Sequence, residues 1–203
     1  MIVPFNRVYL ELDTSLVPNS QPIPGNRFRP KPIGIVIEDS VNNLALPIPL
    51  PIVDSNKFNL PIIYKQYSLL HSGDSSLTIM PWHYIIEYLN RDYVIYNTRP
   101  LDLTYPYTTQ EVVDLSKDRV KLNDFTSQVL TKGTPDLKNM IHVLIIGDST
   151  RDVYTKQLYR KLVDFIIGPI SRTNLFPATM LTNIIPLNLG PRFLNNMLNN
   201  SIR

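Results

Sequence analysis

The stretch Ile141–Ser149, IHVLIIGDS, decides which fold the sequence predicts. Its first six residues are mostly apolar on both alternating faces, which is typical of a strand in the middle of a sheet that is covered on both sides. A helix is predicted over residues 150–167, because apolar side chains recur there at helical spacing: Val153, Leu158, Leu162, Phe165 and Ile166. Gly168-Pro169 ends that helix. The stretch therefore predicts a strand–turn–helix unit.

The turn Gly147-Asp148-Ser149 resembles the first block of the SGNH (GDSL-type) esterases over about ten residues. The resemblance implies that Ser149 is a nucleophile, with a later Asp-x-x-His as the base and a Gly-x-Asn-Asp block in the oxyanion hole. This chain departs from both patterns. Its histidines are His71, His83 and His142, none follows Ser149, and no Gly-x-Asn-Asp block is present. A hydrolase that uses this turn is kept as a second alternative.

A structural role explains the same turn. Gly147 permits a tight exit from the strand. Ser149 is a preferred N-cap residue, and Asp152 lies three positions later, where an acidic side chain stabilises the start of a helix. We expect Ser149 to be a helix cap.

Short strands are predicted in the first half of the chain from β-branched, aromatic or alternating residues, over Arg7–Leu12, Ile33–Glu38, Phe58–Lys65 and Tyr93–Tyr96. The segment MPWHYIIEYLNRD predicts a short helix, since Pro81 suits a first helical position.

The second half is predicted to be richer in helix. Thr108 and Glu111 have the spacing of a capping box, and a helix or helix pair should follow to about Lys132. Short helices are predicted from Pro177 to Ile185 and from Pro191 to Leu198. The chain is interpreted as one α+β domain over residues 1–203, with a strand-rich, proline-punctuated N-terminal half and a helix–strand–helix C-terminal half.

Two proline-rich segments, 17–32 and 44–53, are interpreted as extended arms or loops. Proline removes an amide donor, so LPIPLP cannot lie in the middle of a sheet. Apolar side chains at such positions favour contact with a neighbouring surface. The residues predicted to contact protein partners are Leu46, Ile48 and Leu50 of the second arm and Arg27, Phe28, Arg29 and Lys31 of the first.

Composition excludes several kinds of site. The chain has no cysteine, so disulfides, thiolate nucleophiles and sulfur-ligated metals are excluded. The three histidines have no metal-ligand spacing, and no glycine-rich nucleotide loop is present, so neither metal nor cofactor is expected. No signal peptide and no membrane-spanning stretch are recognised.

The remaining traits favour an assembly protein. Hydrophobic residues make up 43% and charged residues 18%, and alanine is rare while isoleucine and asparagine are abundant. We therefore expect a non-enzymatic structural subunit of a virus or phage particle, of the connector, neck or minor capsid type. Its partners would be neighbouring subunits, as a homo-oligomer or in a hetero-assembly, in the virion or the host cytoplasm. The alternative is a nucleic-acid-binding or packaging accessory, although the basic C-terminal quarter should contribute little affinity.

Overall fold

The computed structural model describes residues 2–12, 27, 32–40, 60–61, 63–64, 67, 79–116, 124–131, 136–147, 156–167, 184–189 and 195. Within those residues, no helix combines the length and the apolar character that crossing a membrane requires.

The described residues form one six-stranded mixed sheet. Its strands are β1 (Ile2–Val3), β2 (Ile35–Asp39), β3 (Tyr84–Leu89), β4 (Asp92–Asn97), β5 (Ile141–Ile145) and β6 (Ile184–Pro186), and their spatial order is β1-β4-β3-β5-β2-β6. Strands β3, β5, β2 and β6 run parallel, whereas β4 is antiparallel to β3. A mixed sheet with a few short helices is broadly compatible with the predicted α+β class.

The central strand was predicted correctly. Strand β5 lies between β3 and β2, and all five of its residues are buried. Its neighbour β2 is also buried throughout, in agreement with the strand predicted over Ile33–Glu38. Apolar, β-branched runs predict such positions well, because a parallel strand in the middle of a sheet is covered on both faces.

Two predicted strands are helical instead. Phe5–Leu12 forms helix α1, and Val8 and Tyr9 are buried three and four residues after Phe5. The described residues within Phe58–Lys65 are also helical. The buried side chains there and just beyond follow helical spacing: Leu60, Ile63, Tyr64 and Tyr67. These predictions were wrong because a short apolar alternation is compatible with both periodicities.

The predicted helix over MPWHYIIEYLNRD is a strand. Residues of β3 pair with those of β4 from Tyr84↔Asn97 to Leu89↔Asp92. The strands join through Asn90 and Arg91, whose φ angles of 50° and 66° match the primed turns that close two-residue hairpins. Cross-strand pairing of isoleucines and tyrosines outweighs the helix-start signal of Pro81.

The helices in the second half of the chain agree better with those predicted from the sequence. Helices α2 (Thr109–Ser116) and α3 (Asp124–Thr131) form the predicted pair. At the start of α2 the capping box is present, because the Glu111 amide donates to Thr108 Oγ1 at 3.1 Å and the Thr108 amide donates to Glu111 Oε2 at 2.7 Å. Helix α4 (Lys156–Lys161) continues as a π-helix over Leu162–Ile167, within the predicted range.

The predicted helix Pro177–Ile185 is wrong where it overlaps strand β6. Pro186 can end this strand because β6 lies at the edge of the sheet, where a missing amide breaks no ladder. Of the predicted helix Pro191–Leu198, only Asn195 is among the described residues, and it is helical.

The sheet separates two cores. One face packs on α4 and its π-helical extension through Leu158, Leu162 and Ile166. The opposite face packs on α1, on the helical residues near Tyr64 and Tyr67, and on Tyr105. Among the described residues, most buried polar side chains of the strands lie on this second face, which we call the polar face: Glu38, Glu87 and His142 of the strands, with His83, Thr98 and Arg99 beside them.

Candidate functional site

The polar face departs from the usual composition of a parallel sheet. Alternation along β2 and β5 places Glu38 and His142 on it beside apolar neighbours, and Glu38 is only 2% exposed. Burying such groups costs free energy unless they are hydrogen-bonded. The hydrogen-bond partners of these buried groups therefore show which side chains this face holds in place.

Glu38 is oriented by the indole of Trp82. Trp82 Nε1–H donates to Glu38 Oε1 at 2.6 Å, and both side chains are buried. The Trp82 carbonyl in turn accepts from Thr98 Oγ1 at 2.7 Å. A carboxyl group is thus held at the edge of an indole ring on the polar face.

His83 and His142 form a stacked pair with fixed tautomers. Their ring centroids are 6.3 Å apart. His83 Nδ1 accepts from the His142 amide at 3.0 Å, so Nε2 carries the proton that is donated to the Leu103 carbonyl at 2.7 Å. His142 Nε2 lies 2.6 Å from the Leu137 carbonyl, and the ring stacks on Tyr105 with centroids 3.5 Å apart. Burial lowers the pKa of His142 to about 3 and that of His83 well below its usual value, so both imidazoles are neutral near pH 7.

Arg99 is a buried cation surrounded by phenols. Its side chain is fully buried, and Nε–H donates to the Thr104 carbonyl at 2.8 Å. Burial lowers the pKa of Arg99 to about 10, which leaves it positively charged near neutrality. Four tyrosines act electrostatically on it, and together with Arg99 we call them the Arg99 cluster: Tyr9, Tyr67, Tyr105 and Tyr107.

The phenols of the Arg99 cluster are neutral hydrogen-bonding groups. Burial raises the pKa of Tyr9, Tyr67 and Tyr105, and for Tyr105 the negative charge of Glu38 adds to the effect. Tyr9 Oη donates to the Thr98 carbonyl at 2.7 Å and accepts from the Met80 amide at 2.8 Å. Tyr9 thereby connects helix α1 to the backbone at Met80 and at Thr98.

The cluster reaches the surface at Tyr107, which is half-buried. Its ring meets that of Tyr105 edge-on, with centroids 5.6 Å apart, and its hydroxyl lies 3.5 Å from the hydroxyl of Tyr67. Tyr105 and Tyr107 belong to the segment 100–107 between β4 and α2, which we call the tyrosine loop. A ligand that reaches Tyr107 from solvent would meet aromatic rings first and the positive charge of Arg99 behind them.

The described residues do not fit a metal centre. Within the part of the chain that the structure describes, no three His, Asp or Glu side chains come together in a way that could hold a metal ion. Both nitrogens of His83 and Nε2 of His142 are already engaged by backbone groups. No chemical step is therefore assigned here to a metal-bound water.

The residues singled out by sequence fall mostly outside the described part. Asp148 and Ser149 lie there, so the cap at Ser149 stays a prediction. Gly147 is described, and its amide donates to Ser40 Oγ at 2.9 Å. Its φ of 143° is one that glycine adopts readily, as the predicted tight exit requires.

The predicted partner-contacting residues are also largely undescribed. Phe28, Arg29 and Lys31 lie outside the described residues, as does the arm 44–53 with Leu46, Ile48 and Leu50. Arg27 is exposed and forms an ion pair with Asp102 of the tyrosine loop. Contact of these residues with another protein stays a prediction.

Sequence comparison gives no relative: no protein-family model matches the chain, and no curated protein matches it. Comparison of the fold with solved structures does find similar proteins. The chain is similar to Drosophila PGRP-LB, with a TM-score of 0.55 and 10% identity over 96% of this chain and 91% of that one. PGRP-Hd from Alvinella pompejana has a TM-score of 0.55 and 14% identity over 100% and 96%. A point mutant of Drosophila PGRP-LB in complex with tracheal cytotoxin has a TM-score of 0.52 and 11% identity over 94% and 89%.

The chain shares the fold of peptidoglycan recognition proteins. The likeness spans nearly the whole of each chain, although at such low identity it concerns the fold alone. It contradicts the function expected from composition, because the solved structures that share this fold are peptidoglycan recognition proteins and not particle subunits.

Three hypotheses are corrected accordingly. The prediction of a virion structural subunit is wrong, the prediction of a non-enzymatic protein is contradicted by the fold neighbours, and the packaging accessory gains no support. Composition did not identify the function, because rare alanine and abundant isoleucine and asparagine are compatible with many folds. One structural neighbour holds a ligand, tracheal cytotoxin, which is a different kind of partner from the subunits expected.

Proposed function

We propose that this chain binds a peptidoglycan fragment at Tyr107, on the polar face of its sheet. The observation that carries the proposal is the fold, shared over almost the whole chain with PGRP-LB, one form of which is in complex with tracheal cytotoxin. Tracheal cytotoxin is a peptidoglycan fragment, so it is the natural first ligand to test.

The Arg99 cluster suits such a ligand chemically. Ligand sites combine aromatic walls with a few oriented polar groups. Tyr107, the half-buried member, offers its ring to a ligand, and the buried ring of Tyr105 meets it edge-on. Arg99 supplies a positive charge, and burial strengthens its attraction for an anion, since electrostatic interactions grow as the surroundings become less polar. An anionic group of a glycan–peptide ligand, such as a peptide carboxylate, would be favoured near it.

Among the residues that the structure describes, the opposite face of the sheet offers no comparable surface. It is covered by Leu158, Leu162 and Ile166 of α4 and its extension. Tyr88 lies toward that side and is 39% exposed, but its ring packs on Tyr93 with centroids 5.0 Å apart. Tyr88 therefore provides a control position away from the Arg99 cluster.

Hydrolysis of an amide bond in the bound fragment is the second candidate. The observation that favours it is the carboxyl group of Glu38, which the Trp82 indole orients on the polar face. In that reaction Glu38 takes a proton from a water molecule as the water oxygen bonds to the amide carbon. The carbon–nitrogen bond then breaks, and the proton passes to the leaving nitrogen.

The test is co-sedimentation with insoluble peptidoglycan, with soluble tracheal cytotoxin as competitor. Wild type should sediment saturably and be displaced by the competitor. Tyr107→Ala should weaken binding about 5- to 30-fold, since a lost aromatic contact costs roughly 1–2 kcal/mol. Tyr107→Phe keeps the ring and should bind more tightly than Tyr107→Ala, while Tyr88→Ala should bind like wild type. A folded wild-type protein that stays in the supernatant would refute the proposal.

The same samples test hydrolysis. Chromatography and mass spectrometry of the soluble fraction would detect peptide released from glycan. If Glu38 acts as the base, Glu38→Gln should stop release and leave sedimentation unchanged. Release that persists in a folded Glu38→Gln protein would remove Glu38 from that role.

A further inference from the structure

The tyrosine loop is fixed by one buried hydrogen bond, one part-buried hydrogen bond and one exposed ion pair. His83 Nε2 donates to the Leu103 carbonyl at 2.7 Å, and Arg99 Nε–H donates to the Thr104 carbonyl at 2.8 Å. From the other side, the Arg27 guanidinium donates to Asp102 Oδ2. Arg27 also forms an isolated antiparallel bridge with Leu103.

The three contacts act on successive residues of the loop, Asp102, Leu103 and Thr104. Tyr105 follows immediately and Tyr107 two residues later. An arginine 75 residues away in sequence from Asp102 therefore contacts the loop just before its two aromatic side chains.

We infer that Arg27 is a positioning residue, which sets the affinity of the tyrosine loop for its ligand by restraining Asp102 and Leu103. The inference rests on the proposed function, because the quantity that Arg27 would change is the affinity of the loop carrying Tyr105 and Tyr107 for the peptidoglycan fragment. The role of Arg27 is then to contact Asp102 and Leu103 of its own chain. A ligand gains affinity when the loop that binds it is already ordered, since less conformational freedom is lost on binding.

The exposure of the pair sets the size of the effect. The side chains of Arg27 and Asp102 are 68% and 53% exposed, so solvent screens the attraction. Exposed pairs of this kind have modest strength, and Arg27→Ala should weaken binding of tracheal cytotoxin about two- to five-fold. Screening also gives a signature: at about 1 M salt, where the Debye length is about 3 Å, most of the difference from wild type should vanish.

The experiment combines calorimetric titration with hydrogen exchange, on the full chain. Titration with tracheal cytotoxin compares wild type, Arg27→Ala, and the double variant Arg27→Asp with Asp102→Arg, at low and high salt. The charge-reversed pair should recover most of the lost affinity at low salt. Arg160→Ala is the matched control, because it removes the same exposed side chain from α4, away from the polar face.

Hydrogen exchange gives a readout that needs no ligand. The Leu103 amide donates to the Pro100 carbonyl at 3.1 Å, and its exchange should be faster in Arg27→Ala than in wild type or Arg160→Ala. Unchanged exchange at Leu103 would overturn the inference whether or not the ligand binds. Faster exchange without any binding by wild type would leave the restraint in place and refute the proposed function instead. Equal affinity of wild type and Arg27→Ala at low salt would also overturn the inference.

Discussion

Tyr9→Phe should destabilise the protein far more than its small chemical change suggests. The Tyr9 hydroxyl donates to the Thr98 carbonyl at 2.7 Å and accepts from the Met80 amide at 2.8 Å, in a buried position. Burial raises the pKa of Tyr9, so the hydroxyl keeps its proton and serves as donor and acceptor together. Phenylalanine fills the same space and keeps the ring contacts with Phe5 and Tyr64.

The magnitude follows from the two backbone groups. Each of the two buried backbone groups that loses its hydrogen-bond partner costs about 1–3 kcal/mol, so Tyr9→Phe should lower the free energy of unfolding by roughly 2–6 kcal/mol. Urea unfolding followed by circular dichroism measures this difference, with an unchanged slope as the sign of an unaltered fold. Tyr88→Phe, at an exposed position, should stay within about 0.5 kcal/mol of wild type.

A loss below about 0.5 kcal/mol for Tyr9→Phe would refute the reasoning. It would mean that the hydroxyl does not connect α1 to the backbone at Met80 and Thr98. The assignment of Phe5–Leu12 as a helix packed on the polar face would then lose its main polar contact.

Two further predictions concern pH and capping. Because burial lowers the pKa of His142 from its usual 6.5 to about 3, the unfolded chain takes up a proton that the folded chain excludes. The corresponding stability is fully present above about pH 6.5 and declines toward pH 3 by about 1.4 kcal/mol per pH unit, and His83 is shifted in the same direction. Urea unfolding at pH 7 and pH 5 should show this decline in the free energy of unfolding. A folded His142→Gln protein should show a smaller decline. Equal declines in the two proteins would contradict the lowered pKa of His142. Thr108→Ala should cost about 1 kcal/mol of unfolding free energy, because it removes the acceptor of the Glu111 amide, and a loss near zero would show that the cap contributes nothing.

The centre of the sheet could be predicted from the sequence because its strands carry their own signal. Strand β5 is apolar on both faces and β2 is rich in isoleucine and valine, so burial on both sides follows from the residues alone. Strand β3 could have been found as well. Its isoleucines and tyrosines precede Asn90-Arg91 and a second β-rich run, which is the pattern of a hairpin.

The site could not be predicted, because its contacts are distant in sequence. Trp82 and Glu38 are 44 residues apart, and His142 reaches His83 across 59. Local spacing says nothing about such pairs. One signal was available: Glu38, Asp39 and Ser40 follow directly on a buried apolar run, which is an unusual place for three polar residues. A polar end on a central strand predicts a site, although it does not say which one.

Trp82 offers the most direct test of the proposed recognition of peptidoglycan. It is the only tryptophan in the chain, and its indole N–H is bonded to Glu38 on the polar face. A ¹H–¹⁵N correlation spectrum titrated with tracheal cytotoxin therefore contains a single indole resonance that reports on this site. The proposed function predicts a saturable shift of that resonance, together with the amides of Tyr105 and Tyr107, while the amides of Leu158 and Leu162 on the opposite face stay in place. A spectrum that does not change up to millimolar ligand, or one whose shifts cluster around α4, would contradict it.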